Sequence, residues 1–284
     1  MKLAVVTDST AYLSQKTYQQ DCLFVLDVPV MIGQTTYVEH KNLEQDQFYQ
    51  LMAASSDLPK TSQPSLAELD ELLSNLESSG YTHVIGLFLA GGISGFHQTI
   101  QFLIDEHPRL TIAFPDSKLT SVPLGQMVEK VLDNSRAGLD FETIMERLQV
   151  QIDRSTAFIM VDDLNHLVKG GRLSNGSAIL GNLLSIKPIL RFDEDGKIVV
   201  YEKVRTEKKA IKRLIEILKE ITADGSYQVA VLHTNAEDKA EQFKQLLLAE
   251  TDLSEDYLTV APLNCVIATH LGEGAVAFGL SPLV

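Results

Sequence analysis

The sequence predicts a two-domain α/β protein, with an N-terminal parallel-sheet α/β domain and a C-terminal α+β domain whose sheet is mixed or antiparallel. In the first half, apolar strand-like runs alternate with helical patterns, which is typical of parallel strands joined by crossover helices. In the second half, two apolar runs flank the turn-forming stretch 193–196, as in a β-hairpin. The length of 284 residues also suits about two domains. We place the boundary after residue 156, giving domains 1–156 and 157–284.

The individual elements follow from the spacing of apolar residues and from turn-forming clusters. In the first domain we expect strands at 3–6, 23–32, 81–89 and 111–114, and helices at 65–76, 95–106 and 121–134. In the second we expect strands at 156–161, 187–192, 197–204, 229–233 and 258–262, with amphipathic helices at 208–221 and 239–248. The glycine-rich stretch 164–184 is expected to start and end short helices.

Composition excludes several classes of function. The net charge of −14 would repel a phosphate backbone, so nucleic-acid binding is not expected. We find no dense basic cluster that would hold the chain on an anionic membrane and no apolar stretch long enough to span one, which leaves at most a transient membrane contact. Two cysteines, Cys22 and Cys265, make no disulfide framework, so a reducing, cytoplasmic setting is expected.

Asp8 closes the first strand, where a phosphotransfer nucleophile could lie. Such a nucleophile normally has a second acidic residue two positions on, but Thr10 stands there. A cap for the following helix is therefore the favoured interpretation of Asp8. A small phosphatase or phosphotransferase using Asp8 remains the alternative function from a different class.

Four further clusters lie at predicted strand ends or helix starts, the edge of an α/β sheet where ligands bind. Thr61 and Ser62 precede a capping box formed by Ser65 and Glu68, so their hydroxyls are available for an anion. Ser94 and Gly95 follow a strand within a glycine-rich turn that matches neither common nucleotide-binding loop. The other two clusters are 169–174, which contains Arg172, and 269–274, which contains His270.

The sequence offers no assembled set of catalytic groups. It has no nucleophile elbow of the Gly-x-Ser-x-Gly type and no closely spaced pair of zinc ligands, so neither a hydrolase triad nor a metal site is indicated. No cofactor is expected. A binding protein is favoured over an enzyme.

These segments together resemble the DegV family, which includes the fatty-acid-binding (B) subunits of bacterial fatty acid kinase. The matching segments run from one end of the chain to the other: 6–11 (VTDSTA), 61–65 (TSQPS), 93–95 (ISG), 116–118 (DSK), 167–174 (LVKGGRLS), 186–190 (IKPIL), 203–206 (KVRT) and 270–275 (HLGEGA).

The resemblance implies a long-chain fatty acid enclosed in an apolar tunnel between the two domains. It implies that the carboxylate is bound at Thr61, at Ser94 with Gly95, and at His270, with Ser62 as a helper. It further implies that a fatty acid kinase catalytic subunit supplies ATP and converts the carboxylate to an acyl phosphate for phospholipid synthesis.

Under the same resemblance, Arg172 and Arg205 are docking or phosphate-facing residues, so replacing Arg172 would spare lipid binding. A lipid-sensing regulatory protein would share the pocket and differ only in its partner. This chain departs from the family pattern at Phe96, which could reshape the tunnel, and at Glu273, which adds a negative charge near the expected carboxylate site.

Overall fold

The computed structural model describes residues 1–176, 186–223 and 225–283. The strands are β1 (Leu3–Asp8), β2 (Leu23–Leu26), β3 (Val30–Ile32), β4 (Thr35–Tyr37), β5 (Lys60–Thr61), β6 (His83–Leu87), β7 (Thr111–Ala113), β8 (Thr156–Met160), β9 (Lys187–Phe192), β10 (Ile198–Val204), β11 (Tyr227–His233), β12 (Leu258–Pro262) and β13 (Val276–Pro282).

The helices are α1 (Gln15–Tyr18), α2 (Gln45–Ala54), α3 (Leu66–Ser78), α4 (Phe96–Thr99), α5 (Leu103–Glu106), α6 (Ser121–Arg136), α7 (Phe141–Arg154), α8 (Leu164–Lys169), α9 (Glu207–Thr222), α10 (Glu237–Glu250) and α11 (Cys265–Leu271), with a 3₁₀ turn at Glu255–Tyr257. None of the helices described is long and apolar enough to cross a membrane. The predicted short helix at 164 is present as α8, whereas 177–184 of the same stretch lies outside the described residues.

The first sheet is parallel throughout, as the sequence predicted, with the order β2-β1-β6-β7. β1 lies inside it and buries all six of its residues, which explains its continuous apolar run. The predicted strand 23–32 is wrong as a single element. It divides into β2 and β3 around Pro29, because proline has no N–H for a central ladder.

A small antiparallel sheet of order β4-β3-β5 was not predicted. The predicted helix 95–106 is likewise divided, into α4 and α5. There the Thr99 hydroxyl and the Gln101 amide donate to the carbonyl oxygens of Gly95 and His97, each four residues earlier, at 2.9 Å. Such side-chain bonds compete with the helical ladder.

The second sheet is mixed and has the order β10-β9-β8-β13-β11-β12, with only β11 and β12 parallel. The predicted hairpin is present as β9 and β10. α9 and α10 pack on one face of this sheet, and the opposite face turns toward α6, α7 and the parallel sheet. The hydrophobic core on this opposite face contains residues from both halves of the chain. The domain boundary at residue 156 stays a prediction.

Candidate functional site

A cavity of about 280 Å³ lies between the parallel sheet and the inner face of the mixed sheet. Five adjacent strands of the mixed sheet form its floor, and the side chains that they contribute are apolar: Ile198 (β10), Phe192 (β9), Ala157 and Ile159 (β8), Ala277 (β13) and Leu232 (β11). Four interstrand spacings of about 4.8 Å make this floor about 19 Å long. The remaining apolar wall comes from α11, from Pro123 on α6 and from loops that follow parallel strands.

One end of the floor is polar. Leu173 forms a bridge with Ile198 of the edge strand β10, so its neighbour Arg172 lies at that end of the cavity. Arg172 donates from Nε to the carbonyl of Ile93 at 3.3 Å and from Nη1 to the carbonyl of Gly170 at 3.0 Å. These contacts bring the two glycine-rich loops, 90–95 and 169–174, together at the cavity.

Thr61 and His270 form the centre of this polar end. The Oγ1 atom of Thr61 on β5 lies 2.8 Å from Nε2 of His270 on α11. Both residues line the cavity and are partly buried. Gly170 packs so closely on the imidazole that an added Cβ would lie 3.2 Å from Nδ1. The structure therefore joins three of the predicted site segments around one imidazole.

His270 is neutral at physiological pH. Burial and, after it, the positive charge of Arg172 lower its pKa to about 4, against an opposing effect of the Gly170 backbone. Nδ1 is buried, and none of the residues described reaches it with hydrogen-bond geometry. Because an unpaired buried N–H is costly, we place the proton on Nε2. Nε2 then donates to Thr61 Oγ1 and leaves the threonine hydroxyl hydrogen for a ligand.

Ser62, Ser94 and Gly95 also line the cavity. Ser94 Oγ accepts a 3.3 Å bond from the Phe96 N–H, so its hydroxyl hydrogen is available to a ligand oxygen. A Cβ on Gly95 would lie 2.8 Å from the amide nitrogen of Gln63. Gln63, which the motif contains but the sequence analysis did not select, therefore packs across Gly95 at the same end.

Polar groups on the chain hold α11 and thereby position His270. Asn264 caps the helix by accepting from the Ile267 N–H at 3.0 Å, and its amide donates to the Ser9 carbonyl at 3.0 Å. The Cys265 N–H donates to Glu39 at 2.8 Å, which places a carboxylate at the positive end of the helix. Burial raises the pKa of Glu39.

The two predicted arginines are not close together. Arg172 lines the cavity beside Ile198, at the start of β10, whereas Arg205 follows the last residue of that strand. Seven strand residues separate these points by about 20 Å. Arg205 is exposed beside three exposed lysines, Lys203, Lys208 and Lys209. The acidic residues of this segment, Glu202 and Glu207, pair with Arg213 and Lys239.

Asp8 does not cap the following helix, because Ser14 caps α1. Asp8 is instead fully buried, and its carboxylate accepts from the Thr10 N–H and hydroxyl at 2.9 and 2.6 Å and from the Leu89 N–H at 2.8 Å. Burial raises its pKa although these bonds oppose the rise. This arrangement ties the end of β1 to the loop after β6 and gives a phosphate ester no access to the carboxylate.

The two departures from the family pattern lie away from the cavity. Phe96 is buried edge-on against Phe88, with ring centroids 5.0 Å apart, in the core beside the parallel sheet. Glu273 is exposed and accepts a 2.6 Å bond from the Asn235 amide in a separate surface depression. The expected reshaping of the tunnel by Phe96 and the expected charge near the carboxylate site are thus not observed.

Thr120 and Ser121, at the start of α6, add two hydroxyl groups to the lining. The sequence analysis missed both residues, because they are brought to the cavity by the packing of the start of α6 against the loop that follows β1. Ser121 accepts from the Tyr12 N–H at 3.2 Å and donates its own N–H to the Thr10 carbonyl at 3.0 Å. Within the described residues, no group of three or more metal-binding side chains occurs.

Comparison with known proteins agrees with this architecture. A DegV domain-containing protein of Streptococcus pyogenes is 66% identical over 99% of both chains. The crystal structure of a fatty acid binding DegV family protein from Streptococcus agalactiae superposes with a TM-score of 0.97, at 62% identity and full coverage of both chains. DegV of Bacillus subtilis, described as a fatty acid binding protein, gives 0.87 at 35% identity over 99% of both chains. The model for uncharacterised proteins of the DegV family matches residues 2–283, and the chain belongs to that family.

Proposed function

We propose that this protein binds a long-chain fatty acid, with the carboxylate at the polar end of the cavity and the acyl chain along the apolar floor. The observation that carries the proposal is the floor of about 19 Å leading from Thr61, His270 and Arg172 across five strands. The structural relatives from S. agalactiae and B. subtilis, both described as fatty acid binding, support it.

The polar end suits a carboxylate. The hydroxyls of Thr61 and Ser94 donate hydrogen bonds to its oxygens, and Arg172 supplies a positive charge. Arg172 uses two of its five N–H donors on backbone carbonyls, which leaves others for a ligand. The cavity position of Arg172 thus adds a binding role to the docking role that the resemblance implied.

Burial of the acyl chain is sufficient for useful affinity. About fifteen methylenes at ~0.8 kcal/mol each contribute about 12 kcal/mol. Association costs about 4 kcal/mol or more, and the remainder of about 8 kcal/mol corresponds to micromolar binding.

The finer proposal is that the protein presents this carboxylate to a fatty acid kinase catalytic subunit, which forms the acyl phosphate used in phospholipid synthesis. The sequence contains no recognisable phosphate-binding loop, so the proposal assigns ATP to the partner. The exposed cations around Arg205 form a face that would attract an acidic partner surface. The protein would then act in the cytoplasm as a carrier rather than as an enzyme.

Native mass spectrometry of gently purified protein, and titration of delipidated protein with oleate and palmitate, test the binding proposal. We expect Thr61→Val to weaken binding about tenfold, as for loss of one charge-assisted hydrogen bond. Thr36→Val, at an exposed site in the same small sheet, should leave it unchanged. Absence of a co-purified lipid together with no uptake of either fatty acid would overturn the proposal.

The kinase proposal needs a separate assay, in which the lipid-loaded protein is mixed with the catalytic subunit and ATP. Arg205→Ala should retain fatty acid binding and lose most acyl phosphate formation. Undiminished acyl phosphate formation by this variant would remove Arg205 from the docking face, and no product from the wild-type protein would reject the kinase partnership while leaving lipid binding intact.

A further inference from the structure

The order of strands in the mixed sheet gives the cavity a direction. The polar end lies at β10, where Arg172 lines the cavity next to Leu173, which pairs with Ile198. From there the floor crosses β9 and β8 to β13 and β11. β8 is two spacings from β10, about 10 Å, and β13 is three spacings away, about 14 Å. Side chains on β13 therefore meet the far part of an extended ligand.

Ala277 is the β13 residue that faces the cavity. It is 2% exposed, and its partners across the sheet are Ile159 on β8 and Leu232 on β11, which line the cavity too. Its neighbours along the strand, Val276 and Phe278, point to the opposite face, into the core under α9 and α10. Only a methyl group thus occupies the floor at this point.

The next position on the same face of β13 shows what would otherwise fill this space. At Gly279 the helix α6 approaches the sheet so closely that an added Cβ would lie 2.7 Å from Cγ of Pro123. At Ala277 the side chain is a methyl group that lines the cavity, as Pro123 of α6 also does. The small side chain therefore leaves room for ligand.

We propose that Ala277 sets the length of acyl chain that the cavity accepts, an inference that rests on the proposed fatty acid binding. Stearate, fully extended from the polar end, is longer than the distance to β13, whereas decanoate is shorter. A larger side chain at 277 removes the far part of the floor and leaves the polar end untouched. The cavity then selects fatty acids by the length of their acyl chain, and the side chain at position 277 sets the limit.

The expected effect can be stated per methylene. Each methylene excluded from apolar contact weakens binding about fourfold. Ala277→Leu, which displaces about three methylenes, should weaken stearate binding about 50-fold and decanoate binding less than twofold. Ala157→Leu, on β8 and closer to the polar end, should weaken both ligands because it blocks the floor earlier.

The test is calorimetric titration of delipidated wild-type protein and the variants with decanoate and stearate. Ala230→Leu is the matched control: Ala230 is 1% exposed on the same face of the mixed sheet and lies outside the cavity lining. It should lower stability by overpacking and leave the stearate-to-decanoate ratio at the wild-type value. Retained decanoate binding shows that Ala277→Leu is folded. If that variant does not fold, Ala277→Val replaces it in the same titrations.

The outcomes separate this inference from the proposed function. Equal weakening of both fatty acids in folded Ala277→Leu, or no weakening of stearate, would overturn the role of Ala277 while fatty acid binding stands. Failure of the wild-type protein to bind either ligand would overturn the proposed function itself.

Discussion

The neutral state of His270 predicts a specific dependence of stability on pH. In the folded protein its pKa is about 4, mainly because of burial, against the ordinary value of 6.5. Between these two values the unfolded chain binds a proton that the folded protein does not. Stability from this residue is therefore present above the ordinary pKa and is lost as the pH falls toward 4.

The size of the effect follows from the two pKa values. At neutral pH both states are largely unprotonated at this histidine, and the contribution is small. At about pH 5 the unfolded state is almost fully protonated and the folded state is not, which costs about 2 kcal/mol of unfolding free energy relative to neutral pH. Over the full interval the loss reaches about 3 kcal/mol.

Urea unfolding of delipidated protein at neutral pH and at about pH 5 measures this loss. In His270→Asn the drop between the two conditions should be smaller than in the wild type by about 2 kcal/mol, because every other titrating group is shared. Leu271→Ala, a buried neighbour on α11, is the control. It should lower stability by about 2–5 kcal/mol equally at both pH values. An unchanged pH dependence in His270→Asn would refute the buried, neutral assignment.

Three further changes test the site. Arg172→Ala should weaken oleate binding more than tenfold in titrations, while Arg172→Lys should restore part of it, since the charge remains but the fork of donors is lost. Asn264→Ala removes the cap of α11 and should cost about 1 kcal/mol in urea unfolding, with weaker oleate binding because His270 loses its support. Gly92→Ala would overlap with the backbone of Gly196 and should cost about 1–3 kcal/mol in thermal or urea unfolding; wild-type stability would contradict that contact.

Local patterns predicted much of the fold. Alternating strand and helix patterns predicted the parallel sheet, and two apolar runs around a turn predicted the β9–β10 hairpin. Both signals come from residues that are close together in the sequence. The small sheet was missed because β5 has two residues and β3 has three, too short for any period. Its pairing of Val30 with Thr61 is also a long-range contact. That sheet matters because it positions Thr61.

The family resemblance selected several residues that line the cavity, but it indicated nothing of their geometry. Motif resemblance selected Thr61 and His270, yet these residues are 209 positions apart, and no spacing indicates that their side chains touch. The resemblance implied that Arg172 is a docking or phosphate-facing residue. The structure places it in the cavity, because its donors satisfy the carbonyls of two loops that cover the sheet edge.

The charge of the chain raises the question of how an acidic protein would hold a carboxylate. A net charge of −14 acts at a distance and is screened by salt beyond about 8–10 Å, whereas donors in the cavity act at contact distance in a medium of lower dielectric constant. Arg172 contributes one positive charge there, and His270 contributes none because the same arginine and the same burial keep it neutral. A charged His270 would bring a second cation, but it would have to be desolvated beside the first. The structure combines one cation with neutral hydroxyl donors instead, an arrangement in which oleate affinity should fall with Arg172→Ala and stay nearly constant from neutral pH down to about pH 6, where His270 remains neutral.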